Sequence, residues 1–128
     1  MSFSQRAKTL SEVSEHILHG ADAGYEVKDF LHEFQVRRHI QMLDQPPVKL
    51  EGQLPKGQLY DAFLQALAVY LASRINHDPP AWTRPAIQLP KPWFASPGVA
   101  IRNYLLISSP SPFRMRNIFV DEDSLTVV

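Results

Sequence analysis

From Leu59 to Ala72 the only strongly polar side chains are Asp61 and Gln65. At 100° per residue, that leaves a helix one narrow wet strip, so protein must cover the rest of its circumference. The helical pattern extends from Lys56 to Asn76, and every other segment is constrained to wrap around it. A chain of 128 residues fits one domain, residues 1–128, and can bury a core without metal or disulfide staples. Apolar residues make up 45% and charged ones 20%, as in ordinary globular chains. The absence of cysteine excludes disulfides, cysteine-ligated zinc and thiol catalysis.

Shorter helices are predicted on both sides. Phe3, Ala7, Leu10, Val13, Ile17 and Leu18 recur at helical spacing, and Gly20 is placed to end that helix in a left-handed conformation. Asp22 suits the N-cap of a second helix, because its carboxylate can accept from N–H groups two or three residues on. That helix has Val27, Phe30, Leu31 and Phe34 on its apolar face. Val36, Ile40 and Leu43 project to the other side, which predicts a break near Gln35 and a short third helix ending by Asp44. Pro46 and Pro47 forbid continuation, and Pro47 to Pro55 reads as a linker.

Late in the chain, Ser96-Pro97 and Ser109-Pro110-Ser111-Pro112 each suit a helix start. The first of these helices carries Val99, Ala100, Tyr104, Leu105 and Ile107, and the second runs from Phe113 to Asn117. Ile118 to Val120 reads as a brief extended run and Asp121 to Ser124 as a turn or cap. Leu125 to Val128 fits a strand or a last helical turn equally. The expected fold is all-α, a compact bundle of about five to six helices around the buried one, ending in a short extended segment.

Between the helical regions lies PPAWTRPAIQLPKPWF, Pro79 to Phe94, with five of the eleven prolines and both tryptophans. Proline fixes φ and removes donors, so this stretch can be neither helix nor the interior of a sheet. No PxxP spacing occurs anywhere, which argues against the commonest polyproline ligand. Burying one indole is worth about 2–3 kcal/mol. Trp82 and the Trp93-Phe94 pair therefore read as two anchors of a strap, residues 79–96, pinned across the central helix with Arg84 and Lys91 outward. The competing reading leaves one tryptophan exposed as an interaction hot spot.

Net charge is zero but unevenly spread. Thr9 to Glu33 holds six acids (Glu12, Glu15, Asp22, Glu26, Asp29, Glu33) against Lys28, whereas Pro79 to Val120 holds five bases (Arg84, Lys91, Arg102, Arg114, Arg116) and no acid. Two halves packed side by side would compensate each other; alternatively, the basic half meets an acidic partner or a phosphate backbone. For direct DNA binding the candidates are Arg37, Arg38, Arg114 and Arg116, although no helix-turn-helix pattern accompanies them. His16 with His19, and His32 with His39, can each share a helix face. Neither pair has a third ligand, and Glu12 and Glu15 are each placed to pair with an imidazole four residues on. Asp121-Glu122-Asp123 suits either a hard cation or a solvated tip. No phosphate loop or nucleophile elbow is present, so neither a cofactor nor a metal is implied. The start of the chain lacks a signal peptide's apolar stretch, and the longest apolar run, Ala66 to Ala72, is far short of a membrane span. A soluble cytoplasmic protein is expected.

The order W-T-R, P-W-F, then S-P-S-P-F-R-M-R-N-I-F-V-D, over about Ala81 to Asp121, resembles a bacterial domain found behind a helix-turn-helix in regulators or antitoxins. Such proteins tend to be encoded beside nucleotidyltransferase-like proteins. The resemblance rests on Trp82, Pro92, Trp93, Phe94, Ser109, Pro110, Phe113, Arg114, Arg116, Ile118 and Phe119; the upstream DNA-binding region has no counterpart here. It implies a non-enzymatic interaction domain, antitoxin-like, that binds and neutralises the product of a neighbouring gene. Trp82, Trp93, Arg102, Arg114 and Arg116 are the candidate partner-binding residues, with Arg114 and Arg116 foremost. A small DNA-binding regulator, or a small enzyme using its histidines, are the rival expectations.

Overall fold

The computed structural model describes residues 6–96 and 98–125, with the side chains of Val99 and Ala100 outside that description. Phe3, Pro97 and the stretch after Leu125 therefore lie outside it. Among the described residues the chain forms six α-helices: α1 (Leu10–Leu18), α2 (Ala23–Arg37), α3 (Gln41–Asp44), α4 (Gly57–Arg74), α5 (Val99–Ser108) and α6 (Ser111–Arg114). Two short strands, β1 (Trp93–Phe94) and β2 (Ile118–Phe119), pair in parallel, Trp93 opposite Ile118 and Phe94 opposite Phe119. The chain is thus mostly helical, as expected, but not all-α: the end of the strap and the C-terminal extended run find each other.

The helix ends follow side-chain chemistry. Thr9 caps α1 by accepting from the Glu12 N–H at 3.1 Å. The helix therefore starts at Leu10, although Ala7 ahead of it is also buried. Asp22 caps α2 as the sequence suggested, accepting from the Tyr25 N–H at 2.8 Å. The break expected near Gln35 falls later. α2 runs unbroken to Arg37, leaves Val36 82% exposed, and ends at Arg38 in the left-handed conformation. Exposing one valine evidently costs less than breaking the backbone hydrogen-bond ladder three residues early. Met42 and Leu43 of α3 then turn back into the core.

α4 is the centre of the fold, with Ala62, Leu64, Ala66, Leu67, Ala68, Leu71 and Ala72 all buried. Phe113 of α6 is fully buried and meets Phe63 and Tyr70 edge-on, with ring centroids 5.2 and 6.1 Å away. Asp61 and Gln65 do not form the wet strip that the sequence suggested. Asp61 accepts from the N–H groups of Leu50 and Glu51 at 2.9 and 3.0 Å, and buried Gln65 binds the strap. Irregular segments packed on a helix carry backbone groups that need partners, and these side chains supply them.

The segment before α4 passes very close to it. A Cβ on Gly57 would overlap the Leu50 carbonyl group. The described ion pairs also correct the expected compensation between halves. They join Arg6 to Asp29 and Glu33, Arg37 to Glu33, and His16 to Glu26, all within residues 6–37.

Two predictions follow from this packing. Gly57→Ala should destabilise the fold by at least about 2 kcal/mol in urea unfolding, because the obstacle is backbone rather than a movable side chain; a change below about 0.5 kcal/mol would contradict the close approach. Glu33 is held below its ordinary value of 4.5, first by its hydrogen bond from Arg37. A depressed folded-state value contributes stability above pH 4.5 that is lost as pH falls through the folded value. Glu33→Gln should therefore flatten the acid limb of the stability profile, measured by unfolding across pH.

Candidate functional site

The strap is attached along its length. At its start, the Trp82 indole N–H donates to the Leu43 carbonyl of α3 at 2.8 Å, and its ring packs on the core half-buried. In the middle, the Gln65 amide of α4 donates to the Pro85 carbonyl at 3.2 Å and accepts from the Ile87 N–H at 2.9 Å. Beyond that, the N–H groups of Leu89, Trp93 and Ala95 donate to the carbonyls of Arg116, Asn117 and Phe119 at 3.1, 2.9 and 2.9 Å. The Asn117 amide returns a bond to the Leu89 carbonyl at 3.0 Å. The anchors are thus α3 at one end and β2 at the other, with the central helix gripping the middle. Arg84 and Lys91 face solvent.

Arg116, expected to reach an external partner, is 2% exposed. Its guanidinium donates to Gln65 Oε1 at 3.1 Å, to the Pro112 carbonyl at 2.8 Å and to the Thr83 carbonyl at 3.1 Å. Burial pulls its pKa below the ordinary arginine value. Desolvating the cation costs several kcal/mol. Three charge-assisted bonds at about 1.5–3 kcal/mol each offset that cost. Arg116 therefore ties α4, α6 and the strap together rather than presenting itself outward. Ser109 has a similar role: buried, its hydroxyl accepts from the Val120 N–H at 2.9 Å and donates to the Leu105 carbonyl.

The remaining candidates do not form one surface. Trp93 is half-buried against the core, while Phe94, on the other face of β1, stacks on Phe119 at 5.0 Å and lies under the Arg102 guanidinium at 5.1 Å. Arg114 is exposed on α6. Of the set expected to bind DNA, Arg116 is buried and Arg37 is held by Glu33 at 2.7 Å, which leaves Arg38 and Arg114 open. His32 and His39 share no face, since α2 ends between them; His39 Nδ1 accepts from the Gln41 N–H. His16 pairs with Glu26 across to α2, and His19 Nδ1 lies against the Glu15 carbonyl rather than its carboxylate. Among the described residues, no three His, Asp or Glu side chains gather where one metal ion could be held, and no helix is long and apolar enough to cross a membrane.

Two features escaped the sequence reading. α5 buries Leu105 fully, yet leaves Tyr104 52% and Ile107 81% exposed on one strip of its outer side. Apolar residues on several faces of α5, more than one packed side can cover, are the signal that was available. The second feature is an open cleft of about 870 Å³ between α2 and α4, walled by Val27, Leu31, Leu59, Phe63 and Trp93. Among the described residues, the shorter elements therefore do not wrap the central helix completely.

Comparison with protein-family models, with curated proteins and with solved structures found no significant match to this chain.

The structural assignment of Arg116 is directly measurable. Arg116→Met should cost at least about 2 kcal/mol in urea unfolding, because the Thr83 and Pro112 carbonyls and the Gln65 side chain each lose a charged donor. Arg114→Met on the exposed side should stay within about 0.5 kcal/mol. Equal effects would contradict the division of roles.

Proposed function

We propose that this chain is a non-enzymatic protein-interaction domain that contacts its partner through the outer strip of α5. The observation that carries the reading is the exposure of Tyr104 and Ile107, large apolar side chains on a helix that buries Leu105. Single exposed apolar residues are ordinary, but two on one strip, one of them an aromatic, match the anchor composition of interfaces. The half of the chain around them is cationic. Arg84, Lys91, Arg102 and Arg114 are exposed, and no acid occurs from Pro79 to Val120. A partner surface that complements this one is apolar at its centre and carries carboxylates at its rim.

The antitoxin-like role is the form of this proposal that the resemblance favours: the partner is then the product of a neighbouring gene, of nucleotidyltransferase-like type. Arg114 and Arg102 remain contact candidates, while Arg116 is buried and Trp82 is tied to α3.

Co-expression with the neighbouring gene product tests this reading. The expected result is copurification of the two chains and relief of any growth arrest the neighbour causes. Ile107→Asp and Tyr104→Asp should each reduce capture at least about tenfold with an unchanged unfolding midpoint. Capture that survives both substitutions would remove α5 as the contact, and failure of the chains to associate at all would remove the antitoxin reading.

A further inference from the structure

Arg102 stands apart from the other exposed cations. Its guanidinium lies over the Phe94 ring, 5.1 Å from the centroid, and Phe94 in turn stacks on Phe119 at 5.0 Å. The backbone holds this platform in place. Phe94 and Phe119 are register partners in the β1–β2 pair, and the Ala95 N–H donates to the Phe119 carbonyl at 2.9 Å. Phe119 is itself buried. An arginine on open surface samples many rotamers, whereas one laid on a fixed ring has lost part of that freedom before any partner arrives.

Stacking uses the flat face of the guanidinium and none of its five N–H groups, which lie round the edge. Arg102 is exposed, and among the described residues its side chain makes no ion pair. The other arginines differ. Arg6 and Arg37 already hold carboxylates, and Arg116 is buried. Arg74 lies over Tyr70, but in the last turn of α4, beside that helix's own carbonyl end. Among the described residues, Arg84, Lys91 and Arg114 have no ring beneath them.

Arg102 also borders the apolar outer side of α5. Leu106 follows it at i+4 on the same strip and is exposed, with exposed Ile107 one position round. An oriented guanidinium beside leucine and isoleucine complements a carboxylate that has an apolar side chain close by. A phosphate backbone complements it poorly, because affinity there grows with the number of cations engaged and Leu106 and Ile107 would gain nothing.

We infer that Arg102, held on the Phe94–Phe119 stack, is the residue of the α5 surface that receives a carboxylate from the partner protein, an Asp or Glu close to a large apolar side chain that packs on Leu106 and Ile107. This rests on the α5 reading above and adds the chemistry of the partner segment. Phe94 is a positioning residue, acting through Arg102.

Selection of a phage-displayed library of random peptides on the intact chain tests the inference, followed by affinity measurements on the enriched peptides. The expected result is enrichment of peptides that pair Asp or Glu with Leu, Phe or Trp, and Ile107→Asp should weaken them at least about tenfold. Each enriched peptide is compared with a copy carrying the amide in place of the acid. Arg102→Gln should reduce the acid-over-amide preference at least about tenfold, and Arg102→Lys should recover only part of it, because an ammonium cannot pair bidentately. Phe94→Leu should lower the same preference; a general loss of folded protein weakens both peptides alike and leaves the ratio unchanged. Peptides lost on Ile107→Asp whose acid preference survives Arg102→Gln would overturn the assignment and leave the α5 reading standing. Peptides indifferent to Ile107→Asp, or no enrichment at all, would overturn both. A DNA duplex whose binding is lost on Arg102→Gln, with no acid preference among the peptides, would assign the residue to phosphate instead and overturn the inference.

Discussion

A buried amide and a buried guanidinium hold an irregular strap onto a helix that would otherwise be bare, and the rest of the structure is arranged about that contact. The strap cannot run as one continuous helix or strand, because prolines recur through it; it makes only a 3-10 turn at Ala81–Thr83 and the two residues of β1. Its remaining backbone groups still need partners once packed against α4. Gln65 is suited to this because one amide both donates and accepts, as a peptide unit does; it meets Pro85 on one side and Ile87 on the other. Arg116 is suited because it has donors only, and two of its three acceptors are backbone carbonyls. The energetic gain of burying these groups over apolar ones is small. Their effect is to fix one register of strap, α6 and α4, which apolar contacts alone would leave open to sliding.

This explains why the segment from Ser109 to Phe119 looks like a motif without forming a site. Ser109, Phe113, Arg116 and Ile118 all point inward, and each has a packing or hydrogen-bonding task there. Asn117 takes a positive φ of 68°, which asparagine tolerates better than most residues, and so turns the chain from α6 into β2. A resemblance built on these positions speaks first to architecture. Exposed apolar side chains and cations lie elsewhere, on α5, the strap and α6.

The parts of the fold set by periodicity and capping were legible in the sequence: the central helix, the Asp22 cap, the stop at Asp44 and the strap with its tryptophan anchors. The first helix could have been placed better, since Thr9-Leu10-Ser11-Glu12 carries the spacing of a capping box and marks the start at Leu10. The inward turn of Arg116 was not legible, because an arginine beside an exposed arginine looks the same in a sequence whether it meets water or a carbonyl. The strand pairing between Trp93 and Ile118 was equally hidden, as contacts between distant two-residue segments leave no local pattern. The open cleft depends on which helices fail to touch, and helix amphipathicity alone does not say so.

Amide hydrogen exchange across the strap tests the central claim most directly. If Gln65 and the chain from Arg116 to Phe119 hold it, the amides of Ile87, Leu89, Trp93 and Ala95 should be protected to within about tenfold of the amides in the middle of α4, since they open only when the core opens. Exchange of these four amides at the rate of an unstructured loop, with α4 still protected, would show that the belt is not fastened and would contradict the account.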